Sequence, residues 1–210
     1  MRGHAAEFGL IAGKGTGHVA ALLEAVAADP AMPELAKEML TVLGAQIAQL
    51  TEQIGQLERR IGAMHRADAL SRLLATIPGV GEIIALSFVS EIDPAAFASG
   101  RHLAAWLGLT PREHSTGGKQ RLGGISRAGH ERLRALLVGG ATSVIRAAQR
   151  PGSRLMTEWL RRLLARRPSK VAAVALANKM ARIIWAMMTT GEAYRAPGSA
   201  SAGRGTAAIS

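Results

Sequence analysis

Cysteine is absent from the 210 residues, which excludes a disulfide framework and any thiolate metal site and fits a reducing cytoplasm. Six histidines stand at positions 4, 18, 65, 102, 114 and 130, and no two have the spacing of a helical metal pair, so the chain is expected to hold no metal of its own. Aromatics are scarce at 3%, and the 48% of apolar residues is dominated by Ala and Leu, a balance that favours helix over strand. An all-α chain is expected. Uninterrupted apolar runs are missing too. The segment from Val19 to Ala28 is broken by Glu24 and preceded by glycines rather than a basic region, so it makes a poor signal peptide. The run from Val171 to Met188 carries Asn178, Lys179 and Arg182 in its middle, which predicts a buried helix and no membrane partner.

Acid is scarcest where base is most crowded. Residues 1–100 hold 7 Lys/Arg against 11 Asp/Glu, residues 101–170 hold 15 against 3, and residues 171–210 hold 4 against 1, within a net charge of +11. A solvated basic face is the plain reading of the middle block. So unbalanced a block repels itself, however, and its usual partner is a polyanion, which points to nucleic acid.

With this length the chain can form one domain or two small ones. Leu40, Leu43, Ile47, Leu50, Ile54, Leu57, Ile61 and Met64 alternate strictly by three and four, a heptad repeat that predicts a long helix over residues 35–67. Its narrow apolar seam favours pairing with another chain, a homo-oligomer, over packing within its own domain; Gly55 and Gly62 weaken it by about 1 kcal/mol each relative to Ala. Residues 1–34 read as a short N-terminal segment, residues 68–195 as a second helical region, and the polar, glycine-rich tail 196–210 as disordered.

The second region opens on "LLATIPGVGEIIALSFVSEI", Leu73 to Ile92, where a helix ends at Pro78 and another begins at Glu82 with Ala85 one turn in. This spacing reads as a helix-hairpin-helix. Gly79 and Gly81 would let the backbone turn sharply and present amides to a DNA phosphate, contacts that carry affinity without sequence preference. An ordinary corner between two helices is the alternative, and Glu82 beside the turn counts slightly against binding. Further helices are expected from about Arg101 to Leu107, His130 to Ala148, Leu155 to Arg166 and Lys170 to Thr190, with Ser169 as N-cap, Gly191 as stop, and Gly139-Gly140 marking close helix packing.

Between two of these helices lies "HSTGGKQRLGGISRAGH", His114 to His130, with two adjacent hydroxyls, five glycines and no carboxylate. It is not a nucleotide-binding P-loop: Glu113 stands where the first glycine belongs, and Gln120 replaces the magnesium-coordinating hydroxyl. Another phosphoryl transfer fits, in which a side-chain hydroxyl attacks a DNA phosphodiester. That chemistry needs an exposed hydroxyl, close backbone approach and cations around the developing charge. Ser115 and Thr116 are the candidate nucleophiles, with the primary hydroxyl of Ser115 the less hindered. Gly117 and Gly118 allow approach, Arg112, Lys119, Arg121 and Arg127 supply charge, and His114 is a weaker candidate for base. A turn that grips phosphate without reacting is the alternative.

"ATIPGVGEIIALSFVSEI", "FASGRHLAAWLGLTPREHSTGGKQRLGGISRAGHERLRALLVGGA" and "RLLARRPSKVAAVALANKMARIIWAMMTTGEAYR", in this order and after the opening "RGHAAEFGLIAG" and the heptad helix, resemble the C-terminal half of the insertion-sequence transposases called the one-ten family, especially its eleven-eleven branch. The resemblance covers nearly the whole chain. It implies a two-part recombinase: an RNase-H-like domain with four acidic metal ligands, then a coiled coil, then a helical transposase domain with a serine nucleophile, assembled as a multimer around DNA and an RNA transcribed from the element. It also implies a bacterial, cytoplasmic, nucleoid-associated protein. Two departures stand out. No cluster of Asp and Glu ahead of the heptad helix supplies the acidic domain, so no cofactor is expected in this chain and Mg2+ only together with that missing domain. Where family members carry two serines this loop reads Ser115-Thr116, and Thr116 aligns with the nucleophile. The expectations are therefore a DNA-binding transposase fragment incomplete by itself, or a non-catalytic binding and dimerisation module, or an inactive remnant of a truncated element.

Overall fold

The computed structural model of the chain describes residues 1–113, 122–126 and 128–195. Among them are nine α-helices and one two-stranded sheet, so the all-α expectation holds, with a single small exception. The chain divides into two compact units, Met1–Arg60 and Ile61–Ser210. The expected disorder of the tail falls on residues outside those described.

In the first unit, α1 (Arg2–Glu7) and α2 (Val19–Ala28) share a small core with the start of α3 (Glu34–Ala67). Leu22 and Val26, one turn apart on α2, are buried with Ala5, Met32 and Leu40. Gly44 makes room for this packing, since a β-carbon there would run into the Leu23 side chain. The heptad seam on α3 changes character along its length: Leu40 is buried, Leu43, Ile47 and Ile61 are half-buried, and Leu50, Ile54, Leu57 and Met64 are each more than half exposed.

The second unit is a helical core in which side-chain caps set the starts of α-helices other than those that begin at Glu82 and Ser169. Asp68 accepts from the Ser71 amide at 2.6 Å and opens α4 (Ala69–Leu74). The turn through Gly81 leads to α5 (Glu82–Glu91), and Ser99 accepts from the His102 amide at 3.2 Å to open α6 (Gly100–Trp106). His130 caps α7 (Glu131–Ala148), and Thr157 caps α8 (Glu158–Arg166) by accepting from the Leu160 amide at 3.2 Å. The last of these starts three residues later than the sequence implies, because the hydroxyl is at Thr157 while Leu155 and Met156 pack against the core ahead of the helix. α9 (Ser169–Thr190) ends at Gly191 in the left-handed region, as expected. Its start differs: Ser169 lies inside the first turn, and the Pro168 carbonyl accepts from the Val171 and Ala172 amides at 2.9 and 3.0 Å.

α9 is long and apolar enough to cross a membrane by length and composition, but its face of Ala172, Ala173, Ala177, Met180, Ala181, Ile184 and Met187 is buried in this core. It packs on α4, α6, α7 and α8. Phe88, Leu74, Leu103, Leu133, Leu137 and Leu160 fill the space between them, each such side chain contributing about 1.5–3 kcal/mol on burial.

Candidate nucleic-acid interface

The basic, glycine-rich loop is carried on a short stem. β1 (Pro111–Glu113) pairs antiparallel with β2 (Leu122–Ile125), Pro111 opposite Ile125 and Glu113 opposite Leu122, with an irregularity between. The Ser126 amide donates to the Thr110 carbonyl at 2.9 Å. Arg112 lies across this stem, its Nε and Nη2 donating to the Ser126 carbonyl at 3.2 and 2.9 Å. The other residues singled out from the loop, His114, Ser115, Thr116, Gly117, Gly118, Lys119, Arg121 and Arg127, lie outside the described residues.

Below the stem the chain is pinned to α6. Gly129 (φ 84°) lies so close to the Trp106 carbonyl that no side chain fits, and a β-carbon on Gly108 (φ 71°) would collide with the Ala128 carbonyl. Arg134 is buried, and its Nη1 donates to the Leu107 carbonyl at 3.0 Å and the Ala128 carbonyl at 3.2 Å. A cation at the C-terminal end of α6 meets the negative end of that helix, which offsets its desolvation. Arg134 therefore secures the downstream end of the loop. His130 is likewise engaged: its Nδ1 accepts from the Leu133 amide at 3.3 Å and its Nε2 lies 3.1 Å from Glu91 Oε2. Arg132 pairs with the same carboxylate.

The two glycines of the turn between α4 and α5 face different surroundings. Gly79, with φ 86°, packs inward on α7: a β-carbon there would sit 2.6 Å from Val144 Cγ2 and 2.8 Å from the Gly140 carbonyl. Gly140 reciprocates, with no room for a side chain against the Gly79 carbonyl, so the Gly139-Gly140 pair does mark close packing. Gly81 is exposed, a β-carbon on it would meet open space, and Glu82 beside it is exposed as well.

A cleft of about 1340 Å³ opens beside the stem. Pro111, Gly123, Gly124 and Ile125 form one wall, Trp159 of α8 another, and α9 the floor from Lys170 to Ala186, with Arg101 of α6 at one end. The floor is apolar at Val171, Val174, Ala175 and Ile183. Asn178 and Trp185 are fixed by donating to the Leu109 carbonyl at 3.2 Å and the Pro94 carbonyl at 3.1 Å. Four cations line the cleft, Arg101, Lys170, Lys179 and Arg182, with no carboxylate among the described lining residues. None of the four belongs to an ion pair among the described residues.

Sequence reasoning missed this cleft. Lys179 and Arg182 registered only as charges that disfavour a membrane span, although an aromatic at Trp159 within the basic "EWLRRLLARR" is the available signal for a nucleic-acid surface. Among the described residues no group of three or more His, Asp or Glu side chains is placed to hold a metal ion.

Comparison with known proteins gives a family match over the region that holds the Gly79 turn, α6 and the stem, and it ends ahead of Trp159 and α9. The family described as Transposase IS116/IS110/IS902 matches residues 71–157. A protein of Sinorhizobium fredii named as a transposase is 51% identical over 93% of this chain and 51% of its own length. A family 20 transposase of Pseudomonas aeruginosa is 46% identical over 93% of this chain and 59% of its own. The transposase for insertion sequence element IS1111A of Coxiella burnetii is 37% identical over 93% and 54%. The chain thus spans little more than half the length of these relatives.

Proposed function

The chain belongs to the IS116/IS110/IS902 transposase family, and from that premise we propose that it is the part of an insertion-sequence recombinase that holds DNA and contributes a hydroxyl nucleophile to strand cleavage and transfer. The observation that carries this reading is the four-cation cleft, with no carboxylate among its described lining residues, at the foot of the stem from which "HSTGGKQR" departs. DNA held there lies beside the stem, whose two strands are joined in sequence by the segment that contains Ser115 and Thr116.

In the proposed step the oxygen of Ser115 or Thr116 attacks the phosphorus of a phosphodiester. A bond from protein oxygen to phosphorus forms, the bond from phosphorus to one deoxyribose oxygen breaks, and that oxygen leaves with a proton. Attack by the hydroxyl of a second strand then reverses the exchange, so no external energy is needed. Lys119, Arg121 and Arg127 would stabilise charge on the phosphoryl oxygens, while Arg112 holds the stem. Magnesium would be held by the acidic RNase-H-like domain that the family resemblance implies, and no step here runs through it. The same proposal includes a second copy joined along the exposed seam of α3, a structured RNA from the element as a further polyanion, and a place in the cytoplasm with the nucleoid.

The test is a graft of this chain in place of the matching segment of the Sinorhizobium fredii relative, incubated with DNA of the element's ends and read as a covalent protein–DNA adduct on a denaturing gel. Changing both Ser115→Ala and Thr116→Ala is expected to abolish the adduct, and the single variants assign the oxygen. An adduct that persists in the double variant overturns the assignment.

A further inference from the structure

The cleft beside the stem is furnished for more than a duplex backbone. Trp159 is 38% exposed, and Lys179 Nζ sits over its ring, 4.6 Å from the centroid. Four cations that share one cleft repel one another, and two of them occupy electrostatically awkward places. α7 and α8 begin with acids, Glu131 and Glu158, which suit the positive end of a helix; α6 and α9 have no acid in their first turns and carry Arg101 and Lys170 there instead. An anion in the cleft relieves both costs. The volume of about 1340 Å³ exceeds the ~300–1,000 Å³ of a small-molecule site and suits a chain-like ligand.

We propose that this cleft takes an unpaired stretch of nucleic acid, with one base stacked on Trp159 and the flanking phosphates met by Arg101, Lys170 and Arg182. In a duplex the faces of the bases are covered by their neighbours, so an indole in a basic cleft is of use only to a base that has left the stack. The apolar floor at Val171, Val174 and Ala175 suits base and sugar, and the cations suit the backbone. Lys179 is the placeholder: in the free protein it covers the ring, and an incoming base displaces it toward a phosphate. This inference rests on the nucleic-acid binding proposed above and names the form of nucleic acid that the site selects.

Fluorescence anisotropy of the full chain at low salt, with a labelled 12-nucleotide DNA strand, the RNA of the same sequence and the DNA duplex, tests it. Trp159→Ala is expected to weaken single-strand binding by about ten-fold or more, the loss that one stacked base dictates, and to leave duplex binding within about two-fold. Trp159→Phe, which keeps an aromatic face, should restore most of the affinity. Trp159→Leu, which keeps a large apolar side chain at this partly exposed site but offers no aromatic face, should likewise weaken the single strand selectively, and it decides the matter should Trp159→Ala fail to fold. Tighter binding of the DNA or of the RNA strand identifies the source. Equal losses on strand and duplex, or no loss on the strand, overturn the inference. A protein that binds duplex but neither single strand also overturns it and leaves the proposed function standing, whereas binding to none of the three overturns both.

Discussion

Gly139 and Gly140 are neighbours on α7, yet their surroundings are opposite. A β-carbon on Gly139 meets nothing within 4 Å, while one on Gly140 runs into the Gly79 carbonyl and comes within 3.1 Å of Ile84 Cδ1. Glycine costs a helix interior about 0.5–1 kcal/mol relative to Ala, so Gly139→Ala should raise the urea midpoint by that amount of stability. Gly140→Ala gains the same helix propensity but forces α7 away from the turn; a net loss of about 2 kcal/mol is expected, the scale of overpacking. Circular dichroism of the two variants in urea checks the pair, and equal midpoints would show that α7 and the Gly79 turn do not touch. Arg134 makes a similar distinction among cations. Counted with the basic block it looks like a phosphate ligand, but it is spent on two carbonyls at the root of the loop.

At the scale of elements, α3 holds the clearest prediction. Leu50, Ile54 and Leu57 are 55–57% exposed along one stripe, and a second copy is the occupant that the heptad spacing suits. Leu50→Asp with Ile54→Asp should convert an associating protein to a monomer in sedimentation equilibrium and leave its thermal transition at low concentration nearly unchanged, because neither side chain is buried in the first unit's core. Wild-type protein that sediments as a monomer would refute the pairing. This helix was legible in the sequence because a period of three and four survives any tertiary context; so was the stop at Gly191, where a positive φ requires glycine. The stem was not. Pro111–Glu113 and "LGGI" are too short and too rich in glycine to show the alternation of a strand, and their pairing depends on Thr110, Ser126 and Arg112 together. The cleft was illegible for a different reason: its walls come from residues between Ser99 and Ala186, and only the packing of α6, α8 and α9 assembles them.

For the molecule as a whole, the structure sorts its positive charge. Arg132 pairs with Glu91, and Arg161 and Arg162 share the one carboxylate of Glu158, so two acids offset most of the charge of these three cations. Arg101 and Lys170 face the cleft with Lys179 and Arg182, two cations from beyond the crowded block. Nucleic-acid affinity should fall steeply with salt, and Arg101→Ala with Arg182→Ala should flatten the plot of log affinity against log salt by about two phosphates' worth of slope. Arg161→Ala, on an arginine already paired, should leave the slope unchanged, and identical slopes for all three proteins would deny the cleft its role. One contact bears on the architecture as a whole. A β-carbon on Gly100 would lie 2.9 Å from the backbone of Arg182, so the start of α6 rests directly on the final helix, and the stretches before and after the loop are locked together through the interior. A gene divided between Glu113 and Leu122, its two messages translated separately, would on this ground yield halves that reassemble unaided.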